Sequence, residues 1–212
     1  MDDVLYNRQS TLKLNIPKST LVVGCGGTGS WVALLLAMSG CPYLSLFDDD
    51  LLDLTNFNRL PLEEGLRGEN KAIAVARLIA RLRPDCLVAT FGRANLYSLF
   101  SAEPGVVFDC TDNQDTQNFL YLWAKQENLP YIRCGYNGTH LTVTNKNSTW
   151  RTTKEATTGY TIVPSWVVGA ALPACLAVAK ALYCPTLNIF ADISELKGEE
   201  SGTEKRRRKS RN

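Results

Sequence analysis

A run of glycines, Gly24-Cys25-Gly26-Gly27-Thr28-Gly29-Ser30, is the first stretch of this sequence able to hold a ligand. Glycines remove the Cβ atoms that would keep a phosphate off the backbone, and the N–H groups of a following helix's first turn would point at it. About 20 residues on, Asp48 stands where an acidic side chain accepts hydrogen bonds from ribose hydroxyls. Asp49 and Asp50 follow at once, then Asn56-Phe57-Asn58-Arg59, then Lys71. A guanidinium beside a nucleotide neutralises phosphate charge through a planar fork of donors. A lysine in the first turn of a helix lies where anions are already favoured. Farther along, Asp109-Cys110-Thr111-Asp112-Asn113 sets two carboxylates and an amide on one turn. Taken alone, Asp112 there reads as a helix N-cap. The spacing Gly24-x-Gly26-x-x-Gly29 by itself fits a nicotinamide or flavin dehydrogenase equally well, but a dehydrogenase leaves Arg59 and Lys71 unexplained.

Positioning these residues takes alternating strands and helices. Residues 21–23 are a short apolar run of the kind buried in a parallel sheet, and the helix after the glycines runs from about 30 to 39, ended by Gly40 and Pro42. Residues 43–47 form a second strand that delivers Asp48 at its carboxyl end. A helix over 69–82, with Ala72, Val75, Ala76 and Ile79 at helical spacing, carries Lys71 in its first turn and stops before Pro84. Strands at 86–90 and 106–108, a short helix at 95–100, a helix at 114–127 burying Phe119, Leu120 and Trp123, and a strand at 131–135 continue the pattern. A sixth strand at 141–144 is expected antiparallel to its neighbours; a polar, mobile loop at 145–160, a helix at 166–183 and an edge strand at 186–193 complete the chain. Residues 4–14 read as a short amphipathic helix or arm. The fold class is α/β: a Rossmann-like, doubly wound, mostly parallel sheet with antiparallel strands at the C-terminal end.

Composition sets the bounds. The chain's 212 residues, 45% of them apolar, suffice for one well-buried core. No signal peptide is legible after the acidic Met1-Asp2-Asp3, so a cytoplasmic protein is expected. The uncharged stretch 161–179 approaches the roughly 18–20 residues that cross a bilayer. Pro164 and Pro173 interrupt it, and a buried α/β helix with no membrane role is the better reading. Seven cysteines occur without a CxxC pair, which argues against a disulfide framework and a zinc site. His140 is the only histidine and offers neither a triad nor a metal cluster. Six of the 23 basic residues crowd into 205–211, leaving 17 against 21 acidic ones elsewhere. Residues 198–212 therefore read as a disordered basic tail, the one place where nucleic acid would bind, after a single domain over 1–197.

On these residues the sequence resembles the ThiF/MoeB/HesA family of adenylyltransferases, the E1-like group that includes the catalytic domains of ubiquitin-activating enzymes. Five elements occur in the family's order over roughly residues 6–190: the glycine loop, the DxD of Asp48 and Asp50, the N-x-x-R of Asn56 and Arg59, Lys71, and Asp112 in D-C-T-D-N. The resemblance implies ATP held by Gly24, Gly26, Gly27, Gly29, Asp48, Asp50 and Asn56, with Asn113 nearby. It implies Mg²⁺ organised by Asp112, and Arg59 and Lys71 neutralising the leaving pyrophosphate. Tyr6-Asn7-Arg8-Gln9 resembles the family's amino-terminal R-Q element, whose arginine reaches the phosphates of a neighbouring subunit; a homodimer or E1-like heterodimer is implied through Arg8. Many relatives carry a zinc on two CxxC pairs, and their absence here means that no structural zinc is expected.

The reaction implied is attack of a carboxylate on the α-phosphorus of ATP, the substrate being the C-terminal glycine of a small ubiquitin-like or sulfur-carrier protein, with a conjugating enzyme as a further partner. The loop at 145–160 corresponds to the crossing loop that carries a thioester-forming cysteine in some relatives, and it has none. Cys134 and Cys175 are the candidates nearest the expected site; Cys175, inside an apolar helix, and Cys25, in the glycine loop, read as packing. Three alternatives stand beside this: activation of a small-molecule or tRNA-linked carboxylate, a non-catalytic E1-like partner subunit, and an NAD-dependent oxidoreductase.

Overall fold

A computed structural model describes residues 4–147 and 164–195. One seven-stranded sheet runs through it in the order β3-β2-β1-β4-β5-β6-β7. The strands are β1 (Thr20–Val23), β2 (Tyr43–Phe47), β3 (Leu87–Phe91), β4 (Val107–Asp109), β5 (Tyr131–Asn137), β6 (His140–Thr144) and β7 (Ile189–Asp192). The first five pair in parallel, and β6 and β7 join antiparallel. The helices are α1 (Asn7–Ser10), α2 (Gly27–Met38), α3 (Lys71–Leu82), α4 (Leu96–Ser101), α5 (Gln114–Gln126) and α6 (Val167–Leu182).

Both faces of the sheet are covered, as continuous apolar strands require. On one face Val22, Leu44, Leu46, Phe108 and Ile132 pack with α2, α3 and α6. On the other, Leu21, Val23, Phe47 and Val107 pack with Leu99 of α4 and Leu120, Trp123 and Ala124 of α5. Within α2, Val32, Ala33, Leu34, Leu36 and Ala37 are all buried, because the helix lies between sheet and α6. The facing side of α6 is Ala170, Ala174 and Ala177, small residues that let the two helices approach closely. By contrast α3 is amphipathic, burying Ala72, Ala74, Val75 and Ile79 and turning Arg77 and Arg81 outwards to Glu69 and Glu63. Side-chain caps fix three helix starts: Asn70, Asn95 and Asn113 each accept the backbone N–H three residues on.

Several boundaries and burials differ from the sequence reading. The amino-terminal helix shrinks to the four residues of α1, which bury nothing, and Lys13 at φ 51° turns the chain away. Helix α2 begins at Gly27 and not Ser30, because the glycines themselves make its first turn. Cys175 was expected in the core, yet it lies on the exposed side of α6, one position past the buried Ala174. No helix among the described residues is long and apolar enough to cross a membrane. Most of the loop at 145–160, and the whole tail at 198–212, lie outside the described residues.

Two glycines of the loop differ sharply in what surrounds them. A Cβ on Gly29 would fall 1.7 Å from the carbonyl oxygen of Gly24, whereas one on Gly26 meets nothing within 4 Å. Overpacking of this kind costs about 1–3 kcal/mol, and each kcal/mol shifts Tm by roughly 2–4 °C at this size. Gly29→Ala is therefore expected to lower Tm by roughly 5–10 °C, and Gly26→Ala to leave it within about 2 °C, in circular-dichroism melts without nucleotide.

Candidate active site

Parallel pairing brings the carboxyl ends of β1, β2, β4 and β5 to one edge, and the loops leaving them meet there. Gly24 turns out of β1 at φ +85°, a left-handed conformation that a side chain would strain. A Cβ there would also stand 2.9 Å from the carbonyl oxygen of Cys110, so β1's loop rests directly on β4's. The first turn of α2 then opens onto the edge, with the N–H groups of Gly27, Thr28 and Gly29 lacking intrahelical partners.

Asp48, at the end of β2, closes one side. Its Oδ2 accepts the Cys25 N–H at 2.6 Å and its Oδ1 the Asp50 N–H at 2.9 Å. Burial pushes its carboxyl above the usual carboxylate range, while those two hydrogen bonds and the Lys71 charge pull the other way. The Asn70 amide donates to the carbonyls of Asp48 and Asp50, and its Oδ1 caps α3, so one residue ties the acidic loop to the helix that carries Lys71. Lys71 Nζ lies 2.7 Å from Asp50 Oδ2; the lysine side chain is 13% exposed and the aspartate 70%. Oxygens of Asp48, Asp49 and Asp50 lie within 4.8 Å of one another.

Arg59 comes from the short 3-10 turn over Leu54–Asn56 and the residues after it. Its carbonyl accepts from the Trp31 indole of α2 at 2.9 Å, and its Nη1 donates to Thr55 O and to Asn58 Oδ1. Its Cδ stands 3.2 Å from where a Gly27 Cβ would be, so the guanidinium stem crosses the mouth of α2. Asn56 is buried and completes a capping box with Asp53, whose N–H it accepts at 3.1 Å. Here Asn56 shapes the turn that presents Arg59.

From β4, Asp109 points inwards, fully buried. Its Oδ2 accepts from the Tyr131 hydroxyl at 2.5 Å and its Oδ1 from Thr111. Burial raises its carboxyl pKa and lowers that of Arg133, its register partner on β5; each charge offsets the other's shift. Asp112, in contrast, is exposed on the β4–α5 loop, and Asn113, not Asp112, is the N-cap of α5. The site thus gathers the glycine loop, Asp48, Asp50, Lys71 and Arg59 around the α2 N-terminus, with Asp112 on the adjoining loop.

Arg8 lies elsewhere. Its neighbour Gln9 donates to Ser39 O at the far end of α2, about 18 Å along that helix from the glycines at 1.5 Å per residue. Cys25 and Cys134 are buried; desolvation followed by the Asp48 charge pushes the Cys25 thiol well up, which disfavours the nucleophilic thiolate. Two residues at this edge were not singled out in the sequence: Arg133, detectable as a lone charge inside an apolar strand, and Tyr136, whose hydroxyl lies 3.0 Å from the Gly27 Cβ position. A cavity of about 520 Å³ opens at the opposite end of the sheet, lined by Tyr121, Leu129, Tyr131 and Lys180 among others. It contains neither the glycine loop nor a carboxylate, so chemistry rather than volume places the site.

The sequence model of the ThiF family matches residues 6–195. The tRNA threonylcarbamoyladenosine dehydratase of Haemophilus influenzae is 32% identical over 139 residues, 63% of this chain and 53% of that protein. The adenylyltransferase and sulfurtransferase MOCS3 of Danio rerio is 36% identical over 104 residues, 47% of this chain and 22% of that protein. Among solved structures, E. coli MccB with ATP superposes with a TM-score of 0.65 at 22% identity, covering 84% of this chain and 56% of that one. The E. coli tRNA N6-threonylcarbamoyladenosine dehydratase gives a TM-score of 0.57 at 26% identity, over 64% and 60%. The chain spans about half, or less, of the length of these curated relatives. The match to the family runs over 6–195 and carries the glycine loop, the acidic loop, Arg59, Lys71 and Asp112 within it, so the chain belongs to the ThiF family.

Proposed function

We propose that this chain adenylylates a carboxylate with ATP, the acceptor being the C-terminal glycine of a small ubiquitin-like or sulfur-carrier protein. The observation that supports this most directly is the convergence of the open α2 N-terminus, the Asp48 carboxylate and the cations Arg59 and Lys71 on one edge of the sheet. The relatives named as adenylyltransferases point the same way.

In this reading the adenosine ribose hydrogen-bonds to Asp48, and the phosphates lie against the N–H groups of α2. A carboxylate oxygen attacks the α-phosphorus, the bond to the β-phosphate oxygen breaks, and pyrophosphate leaves between Arg59 and Lys71. No general base is required, because a carboxylate is ionised at neutral pH. Bringing two anions together is the obstacle, and positioned cations lower it. Asp112, an exposed hard oxygen donor beside the phosphate edge, suits Mg²⁺ held by one carboxylate and phosphate oxygens. When bound, the ion neutralises β- and γ-phosphate charge. Arg8 serves the site of a neighbouring copy in a dimer, since α2 separates it from its own. Seven free cysteines fit a reducing compartment, the cytoplasm. A second reading, activation of a tRNA-linked carboxylate, is favoured by the names of the Haemophilus and E. coli dehydratases.

Arg59→Ala and Asp112→Ala are each expected to cut ATP–pyrophosphate exchange by about 10²–10³-fold. The exchange is measured with the carboxylate captured from native extract as its acyl-adenylate and identified by mass spectrometry. Melting within about 2 °C of the wild type shows that the fold survives; retained exchange would remove both role assignments.

A pH dependence follows from Asp48. Both of its oxygens accept backbone N–H groups, so protonation breaks one of these bonds and loosens the glycine loop. Because burial raises this carboxyl, ATP affinity is expected to be full at neutral pH and to fall on acidification from above the ordinary carboxylate range. Titration calorimetry between about pH 7 and 4.5 follows it, and in Asp48→Asn that inflection disappears.

A further inference from the structure

Tyr136 sits on the last part of β5, paired with Leu141 of β6, and its side chain reaches back over the first residue of α2. Its hydroxyl lies 3.0 Å from the point where a Gly27 Cβ would be, and the Arg59 Cδ lies 3.2 Å from the same point. A glycine at 27 is what lets these two side chains and the helix mouth come together. The ring is half-buried, yet among the described residues its hydroxyl has no hydrogen-bond partner. The hydroxyl is open to solvent at the helix mouth, and so is available to a ligand there.

The surroundings fix the hairpin that carries this residue. Gly138, at the tip of the β5–β6 hairpin, donates its N–H to Pro164 O at 3.0 Å and accepts from the Trp166 indole at 3.1 Å. The Asn58 amide, next to Arg59, donates to Ser165 O at 3.0 Å. The hairpin carrying Tyr136, the turn carrying Arg59 and the entry to α6 are thus tied to one another around the mouth of α2.

Its side of the site is also informative. In the order β3-β2-β1-β4-β5, Asp48 and Lys71 stand on the β2 and α3 side of the glycine loop and Tyr136 on the β5 side. With the ribose at Asp48 and the phosphates against the N–H groups of α2, an acyl group carried on the α-phosphate would lie at the helix mouth, within reach of the β5 side where the Tyr136 hydroxyl stands. The geometry points to Tyr136 as a positioning residue for the acyl group: its hydroxyl donates a hydrogen bond to the carboxylate oxygen that becomes the carbonyl of the acyl-adenylate. This inference rests on the adenylylation reading and adds to it the residue that recognises the carboxylate.

The test compares AMP with 5′-O-(N-glycylsulfamoyl)adenosine, a stable stand-in for glycyl-adenylate in which a sulfamoyl group replaces the phosphate. Calorimetric titration of the full chain is expected to show that Tyr136→Phe weakens the glycyl sulfamate about tenfold and leaves AMP within about twofold. Since the hydroxyl has no partner among the described residues, the variant is expected to melt with the wild type. Equal losses for both ligands, or no loss for either, overturn the assignment while leaving nucleotide binding intact. A wild-type chain that binds the glycyl sulfamate no better than 5′-O-sulfamoyladenosine overturns it as well. Failure of the wild type to bind either ligand removes the adenylylation reading and this inference together.

Discussion

The Asp48 carboxylate and the backbone N–H of Cys25 form the contact on which the rest of the site depends. One group ends β2 and the other opens the loop after β1, so their 2.6 Å hydrogen bond fixes the acidic loop against the glycine loop. The Asp50 N–H occupies the second oxygen. Partly burying a carboxylate is unfavourable unless its lone pairs are used, and hydrogen bonds to a charged acceptor contribute about 1.5–3 kcal/mol each. Both loops are thereby held rigidly by the side chain that also faces the expected ribose. Gly24 and Gly29 answer to the same constraint: Gly24 lies against the Cys110 carbonyl, Gly29 against that of Gly24, and neither has room for a Cβ. These glycines serve close packing of backbones as much as approach of a phosphate.

The cations are held less firmly. Lys71 pairs with an aspartate that is largely exposed, and Arg59 bonds to a backbone carbonyl and an amide of its own turn. Ion pairs to exposed carboxylates are worth about 0–1 kcal/mol, so a phosphate group, with more charge and more acceptors, competes with them at small cost. The aliphatic stems are what the fold positions: Lys71 is mostly buried along its length, and the Arg59 stem lies on Gly27. Rigid stems with weakly engaged heads leave the charged groups able to turn onto a bound phosphate.

Much of this was legible in the sequence because it depends on short-range signals. The strand at 43–47 coincides with β2, and the antiparallel sixth strand was readable from its β-branched residues. The order of glycines, carboxylates, Arg59 and Lys71 likewise predicts their meeting at one edge, since parallel strands deliver successive loops to the same side. What escaped depends on contacts between distant segments. The Asp109–Tyr131–Arg133 network arises from the register of β4 on β5, which no local pattern encodes. Cys175 was misplaced because α6 is apolar all round, leaving periodicity no contrast to show which side faces α2. Tyr136 became visible only once β5 was seen to end above α2.

The two ends of the sheet divide their work. At the amino end Tyr6 donates to Asp85 and lies under the Arg83 guanidinium at 4.8 Å, while Arg83 itself binds Asp85 and the Met38 carbonyl. This cluster fastens the amino-terminal arm to the end of α2 that faces away from the glycines. Arg8, two residues beyond Tyr6, is therefore fixed on the wrong side of its own sheet to meet a phosphate at the carboxyl edge. A role for it in phosphate binding requires another subunit, of this chain or of an E1-like partner, whose carboxyl edge lies against this arm. The same contacts that stabilise the arm thus exclude the intramolecular arrangement, and they make the oligomeric state part of the catalytic question.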